Sequence, residues 1–162
     1  MNFLFLSSIF LFYIFKKFDL LFIYILFFLL NIFINFLVKI FLRFPRPTEN
    51  IELFYFVKDK IKINEYNRFG MPSRSCQSDL FSTIYLFFTL KKMDYTILFI
   101  FISVYTIIQN YIQYKNTFYQ ILIGCLIGTI MGWVAYLFSI YYLKEELTEK
   151  QEENAPIIFG LL

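Results

Sequence analysis

The chain has 162 residues, of which 59% are hydrophobic, 23% are aromatic and only 17% are charged. With a mean hydropathy of +0.63 it is too apolar for one small soluble domain, so we expect an integral membrane protein. The formal charge of +3 comes from 15 basic and 12 acidic residues, a balance that indicates neither nucleic acid nor a strongly acidic partner.

Two features of the composition restrict the chemistry. The chain has no histidine, which removes the commonest general base, metal ligand and phosphate-accepting imidazole together. Its two cysteines, Cys76 and Cys125, are far apart in the sequence and lack the clustered spacing of a zinc site or a disulfide framework. The sequence therefore predicts no metal site and no cofactor.

Apolar runs bounded by charge predict an all-α, polytopic transmembrane bundle of about five helices, over residues 2–15, 20–38, 80–90, 95–112 and 118–143. The second, fourth and fifth runs have 18 or more residues, enough to cross a hydrocarbon core of roughly 30 Å at about 1.5 Å per residue. The first and third runs are shorter, so each is either a tilted span or an interfacial or re-entrant piece.

The predicted organisation is one transmembrane domain, residues 1–143, followed by a charged tail, residues 144–162. A long polar stretch, residues 39–79, interrupts the domain and is the expected functional loop. Lysines in the short turns on the opposite face favour a cytosolic location for that face: Lys16, Lys17, Lys91 and Lys92. The polar stretch is then extracytoplasmic or lumenal, and the tail is cytosolic.

Polar side chains occur in the apolar runs in two clusters. Asn31, Asn35 and Lys39 are four residues apart and lie on one helix face, either as interhelical glue with a snorkelling lysine or as a functional face. The second cluster lies between the fourth and fifth runs, where polar groups must meet one another or a water-filled cavity: Gln109, Asn110, Gln113, Asn116 and Gln120. Both clusters share a membrane face with a glycine- and proline-containing turn, residues 70–75, that is suited to holding an oxyanion.

Three glycines of the fifth run form one smooth helix face. Gly124, Gly128 and Gly132 recur every four residues, a spacing that favours close packing of two helix backbones. The packing partner is either another helix of the same chain or a second copy, which would make the protein a homo-oligomer.

The polar patches, in this order, resemble the motifs of the type 2 phosphatidic acid phosphatase superfamily, which includes lipid phosphatases, polyprenyl diphosphatases and vanadium haloperoxidases. Residues 39–47 match the first motif, K-x6-R-P, in full. Residues 70–77 match the second, G-M-P-S-x-H-x-Q of the dolichyl diphosphatase branch, except that Ser75 replaces histidine. In the third, S-R-x5-H-x3-D, Asn110 replaces arginine, Asn116 replaces histidine and Gln120 replaces aspartate.

The resemblance covers roughly residues 20–140 and implies a membrane-embedded helical fold whose core usually has six helices. It also implies, for intact members, a third-motif histidine that becomes phosphorylated, an aspartate that orients it and a second-motif histidine that protonates the leaving group. None of these groups is present here. Asn116 is a poor nucleophile, Gln120 is uncharged and Ser75 does not titrate near neutrality, so catalysis is expected to be lost.

The phosphate-binding part of the motifs is better kept. Lys39 and Arg46 match the family's phosphate-binding positions, while Ser73 can donate a hydrogen bond and Arg74 adds a positive charge. The resemblance therefore implies a degenerate member that lacks the catalytic histidines but keeps half of a phosphate site. Membrane lipids with phosphorylated head groups are the implied partners.

Three functions stay open on the sequence alone. The first is an inactive relative of the lipid phosphatases that still binds a lipid phosphate or prenyl phosphate. The second is a membrane scaffold, or an assembly or envelope component, with the glycine face and the tail as contact surfaces. The third is an active phosphatase with non-histidine chemistry at Ser75, for which Asp79 and Glu65 are the nearby carboxylates.

Overall fold

A computed structural model describes residues 3–47, 69–91 and 93–153. Within these ranges the secondary structure is helical, apart from one isolated antiparallel bridge between Pro45 and Phe69. The helices in chain order are α1 (Phe3–Ile14), α2 (Phe18–Leu42), α3 (Arg74–Leu90), α4 (Met93–Ile112) and α5 (Phe118–Glu153).

Three helices are long and apolar enough to cross a membrane, over Phe18–Leu42, Asp94–Ile112 and Phe118–Lys144. They confirm the predictions made from the second, fourth and fifth apolar runs. Their outer faces carry large exposed apolar side chains, among them Phe22 and Phe101 at 71% and 70% exposure, which suit contact with lipid chains. The chain is thus a polytopic helical bundle.

The helix boundaries extend the apolar runs into the polar stretch. Helix α2 continues to Leu42, so Lys39 lies in its last turn, and α3 begins at Arg74 rather than near residue 80. The first turns of α3 are polar in sequence but buried against other helices. Polarity there therefore indicates an interhelical surface, not a loop. The charged tail starts as a continuation of α5 to Glu153, and residues 154–162 lie outside the described ranges.

Helix α3 occupies the middle of the bundle and packs against all four other described helices. Its aromatic residues Phe81 and Tyr85 are fully buried in a cluster with Phe12 of α1 and Tyr24 of α2. Both tyrosine hydroxyls have partners inside the bundle, since Tyr24 shares a 2.8 Å hydrogen bond with Ser82 and Tyr85 donates to the Leu20 carbonyl at 3.0 Å. The core is thus apolar in bulk, and its two buried tyrosine hydroxyls are paired.

The glycine face of α5 lies directly on α3 of the same chain. A Cβ atom on Gly124 would lie 2.7 Å from the Ser73 carbonyl oxygen, and one on Gly132 would lie 2.8 Å from that of Phe81. At Gly128 a Cβ atom would collide with the Gln77 carbonyl oxygen. The partner of the three glycines is therefore an internal helix, and this face is not available to a second copy.

We predict that Gly128→Leu destabilises the bundle, because the side chain would push α5 away from the α3 backbone. Overpacking of this kind costs about 1–3 kcal/mol, which thermal unfolding in detergent would register as a lower melting temperature. Leu126→Phe is the matched control, since it adds bulk to a side chain of the same helix that is 55% exposed. Equal melting temperatures for wild type and Gly128→Leu would contradict this packing.

Candidate functional site

The three motif segments come together at one end of the bundle, as the sequence predicts. The backbone N–H of Gly70 donates to the Phe44 carbonyl at 2.8 Å, joining the first segment to the second. The Asn116 amide donates to the Gly70 carbonyl at 2.7 Å, and the Gln120 amide donates to the Pro45 carbonyl at 2.8 Å. The orientation of this end, toward the extracytoplasmic side, stays a prediction of the lysine distribution.

An amide clamp joins α2 to α3 below this junction. Gln77 donates to the Asn31 side-chain oxygen at 2.8 Å and accepts from the Asn35 amide at 2.6 Å. All three side chains are at most 3% exposed. The two asparagines of the predicted stripe are therefore interhelical glue, which was one of the two open interpretations.

Lys39, the third member of that stripe, is only 2% exposed. It does not snorkel to the surface, and the charges of Arg46 and Arg74 lie close enough to act on its ammonium group. Three cations thus gather where the last turn of α2 meets the start of α3. Like charges repel each other, so this arrangement favours an anion between them.

Asn116, which the motif resemblance aligns with a nucleophile, is held in place by hydrogen bonds. Asn116 donates from its amide nitrogen to the Gly70 carbonyl and, at 3.3 Å, to the side-chain oxygen of Gln120. Its own side-chain oxygen accepts from the Ser73 hydroxyl at 3.3 Å. An amide nitrogen has a delocalised lone pair, and here its protons are also engaged, so this group is not prepared to attack phosphorus.

The other two substituted positions pair with each other across α3 and α4. The Asn110 amide donates to the Ser75 hydroxyl oxygen at 2.9 Å and to the Thr106 carbonyl at 2.9 Å. Asp79 is 5% exposed and lies near the Thr106 hydroxyl, which donates to the Ile102 carbonyl at 3.0 Å, and no hydrogen bond joins Asp79 to Ser75. Glu65 lies outside the described ranges. The structure therefore brings no carboxylate of residues 3–47, 69–91 and 93–153 to the Ser75 hydroxyl.

A cleft of about 740 Å³ opens beside these residues, and it has one polar and one apolar wall. The apolar wall comes from α1 and α2: Phe5, Phe28, Leu29 and Ile32. The polar wall comes from the motif segments and α4: Arg46, Arg74, Ser75, Ser78, Thr106, Gln109, Asn110, Lys115 and Asn116. Among these lining residues three are cationic and none is acidic, which gives the cleft a net positive charge.

The predicted phosphate-binding residues separate into two groups. Arg46 and Arg74 line the cleft, and the Nε atom of Arg46 is buried with no hydrogen-bond partner. Lys39 and Ser73 are buried behind the cleft at 2% and 1% exposure, and the Ser73 hydroxyl is used on Asn116. Lys115 is a cleft cation that sequence reasoning missed. Its only sequence signal is that it directly precedes Asn116, a motif position.

The comparison with protein families agrees with this architecture. The family model of the PAP2 superfamily, the type 2 phosphatidic acid phosphatases, matches residues 20–143. The match covers most of the chain and includes all three motif segments, so the chain belongs to the PAP2 superfamily. No curated protein and no solved structure matches it.

We predict that Gln77→Leu lowers the free energy of unfolding, because it leaves two buried asparagines without their partner. Interhelical hydrogen bonds in membrane proteins contribute about 0.6–2 kcal/mol each, so the loss of this clamp is expected to cost about 2 kcal/mol. Gln109→Leu, which changes an exposed glutamine of α4, is the control and should shift stability by less than about 0.5 kcal/mol. Denaturant unfolding in mixed micelles measures both, and similar values for the two variants would refute the role of the clamp.

Proposed function

We propose that this PAP2 superfamily protein is catalytically inactive and binds the phosphate head group of a membrane lipid or prenyl phosphate. The observation that carries the proposal is the cleft: among its described lining residues three are cationic and none is acidic, and they face an apolar wall. The polar wall suits the phosphate group of such a ligand, and the apolar wall suits its lipid chain. The substituted motif positions are the reason why we expect no turnover.

The polar wall supports binding of a phosphate group. Arg46 and Arg74 come from different segments, and guanidinium groups match the geometry of phosphate oxygens with two donors each. The unpartnered Nε atom of Arg46 is a buried donor that an anion would satisfy. The Ser75 and Ser78 hydroxyls and the Gln109 amide, which also line the cleft, add neutral donors without negative charge.

The apolar wall supports a lipid over a soluble phosphate. Phe28, Leu29 and Ile32 follow the cleft along α2 for more than one helical turn, and Phe5 of α1 stacks on Phe28 with ring centroids 4.1 Å apart. Leu29 is also 59% exposed on the outer surface of the bundle. A ligand chain that leaves the cleft along this wall therefore stays in contact with apolar surface.

The loss of catalysis is supported by the replacement of charged groups with neutral ones. A phosphoenzyme mechanism needs a nucleophile, a group to orient it and a proton donor for the leaving group. The corresponding side chains here, Asn116, Gln120 and Ser75, are amides and a hydroxyl already bonded to neighbours in the protein. They hold the shape of the site but have no ionisable group to perform these steps.

A scaffold role is the second candidate, and one observation favours it. Asn110 and Asn116 tie α3, α4 and the motif turn together through neutral hydrogen bonds. Such bonds stabilise a bundle in the membrane whether or not a ligand binds. Binding of a phosphate requires the cleft arginines, whereas a scaffold role does not. Variants of these arginines therefore separate the two roles.

We predict that short-chain phosphatidate and farnesyl phosphate raise the melting temperature of the detergent-purified protein saturably. The double variant Arg46→Gln/Arg74→Gln should lose the response, because each charge-assisted hydrogen bond to phosphate is worth about 1.5–3 kcal/mol. Arg43→Gln is the matched control. Arg43 lies in the same segment as Arg46 but is exposed, bonds to the Ile40 carbonyl and does not line the cleft.

The outcomes of this titration separate the candidates. A saturable shift that survives in Arg43→Gln and disappears in the double variant supports the phosphate-lipid site. No shift with either lipid, in a protein that melts cooperatively, would reject binding and favour the scaffold. A shift retained in the double variant would place the ligand elsewhere on the protein.

We also predict that the purified protein releases no phosphate from phosphatidate or farnesyl diphosphate above the rate of a protein-free control. The reason is that none of the described lining residues is a histidine or a carboxylate that could activate a hydroxyl for attack on phosphorus. Colorimetric phosphate release over hours, with an active lipid phosphatase as positive control, measures this. Release that vanishes in Arg46→Gln/Arg74→Gln would establish an active enzyme and overturn the prediction.

A further inference from the structure

We infer that Lys115 is the residue that makes the cleft specific for a terminal phosphate monoester, such as phosphatidate or a prenyl monophosphate, over a phosphodiester lipid. This inference rests on the proposed function, since it concerns the same cleft. It goes further by assigning the selection between head groups to one residue at a variable position of the third motif, directly before Asn116.

Lys115 is held in place by the way α4 ends. Tyr114 has a left-handed backbone with φ of 51°, and its N–H donates to the Tyr111 carbonyl at 3.1 Å. The N–H of Lys115 donates to the Asn110 carbonyl at 3.1 Å. These two bonds form a Schellman cap, which fixes the residue after the left-handed position against the last turn of the helix. Lys115 is therefore anchored at the cleft and not on a free loop.

The three lining cations approach from three separate elements. Arg46 follows α2, Arg74 begins α3, and Lys115 lies in the turn between α4 and α5. A phosphate monoester has three non-bridging oxygens and a charge of about −1.5 to −2 at neutral pH. A phosphodiester has two such oxygens and a single charge. Three cations line the cleft, one for each non-bridging oxygen of a monoester, whereas Lys39 is buried and does not line it. A diester would leave one of the lining cations without an oxygen.

The positive charge on the α4 side of the cleft depends on Lys115. Asn110 lines the same cleft but is neutral, and its amide is engaged with Ser75 and the Thr106 carbonyl. On the α4 side of the cleft, Lys115 is accordingly the cationic member of the described lining residues. Loss of its charge would leave two arginines on the opposite side, which still suffice for the single charge of a diester.

The test measures dissociation constants of the full-length protein in detergent for phosphatidate and phosphatidylglycerol with the same short acyl chains. Lys115→Gln should weaken phosphatidate about tenfold, the low end for a lost hydrogen bond to a charged group because Lys115 is exposed. It should change phosphatidylglycerol less than about twofold. Lys115→Arg should keep the preference for phosphatidate. Lys17→Gln, an exposed lysine that precedes α2 at the other end of the bundle, is the matched control.

A relocated charge provides a second readout. Adding Asn110→Arg to Lys115→Gln returns a cation to the same wall, because the two residues are joined by a backbone hydrogen bond. Recovery of phosphatidate affinity in this double variant supports a charge effect. Equal weakening of both lipids by Lys115→Gln, or no weakening of either, would overturn the inference.

The same measurements separate a failure of the Lys115 assignment from a failure of the proposed function. If wild type binds phosphatidate and loses it in Arg46→Gln/Arg74→Gln, while Lys115→Gln behaves as wild type, the phosphate site stands and the assignment of Lys115 fails. If wild type binds neither lipid, both fail. The dissociation constant for inorganic phosphate is measured as well. If the protein binds inorganic phosphate as tightly as phosphatidate, the apolar wall does not contribute to the affinity.

Discussion

The burial of a polar helix in the centre of a membrane bundle is the constraint on which the rest of this structure depends. Lipid offers no hydrogen bonds, so the buried polar side chains of α3 must find partners within the protein, and many of these lie in other helices. On the α4 side, Thr83 shares a 2.9 Å hydrogen bond with Ser103, one turn from the Asp79–Thr106 contact. On the α5 side, Tyr85 shares a 2.8 Å bond with Ser139. The same helix that carries the second motif therefore organises the bundle.

The close approach of α5 to α3 is the second constraint on this bundle. The three glycines bring the α5 backbone onto α3, and the backbone N–H of Ser73 donates to the Gln120 carbonyl at 3.0 Å at the end of that contact. The third motif is thereby positioned over the second without any ionic bond. Neutral amides thus supply the hydrogen bonds that hold these segments together, whereas buried charges without partners would be more costly.

The sequence predicted those parts of the molecule that depend on local pattern. The long apolar runs identified α2, α4 and α5, and the spacing of Asn31, Asn35 and Lys39 identified a face that is buried. It did not predict the start of α3, because polar residues that face other helices have the same composition as a loop. Its assignment of Ser73 to phosphate ignored Asn116, a competing acceptor that becomes adjacent only in the folded bundle. The position of Lys115 depends on a capping turn, which hydropathy does not register.

The neutral hydrogen bonds and the cations of the cleft lead to different conclusions about function. The amides of Asn110, Asn116 and Gln120 are sufficient for a stable bundle, so by themselves they do not distinguish a binding protein from a scaffold. The cations are different, because Arg46, Arg74 and the buried Lys39 repel one another and raise the free energy of the empty protein. Packing gains nothing from this repulsion, whereas a bound phosphate would offset it and satisfy the orphaned Nε atom of Arg46. The cluster of charge therefore favours a ligand-binding protein over a purely structural one.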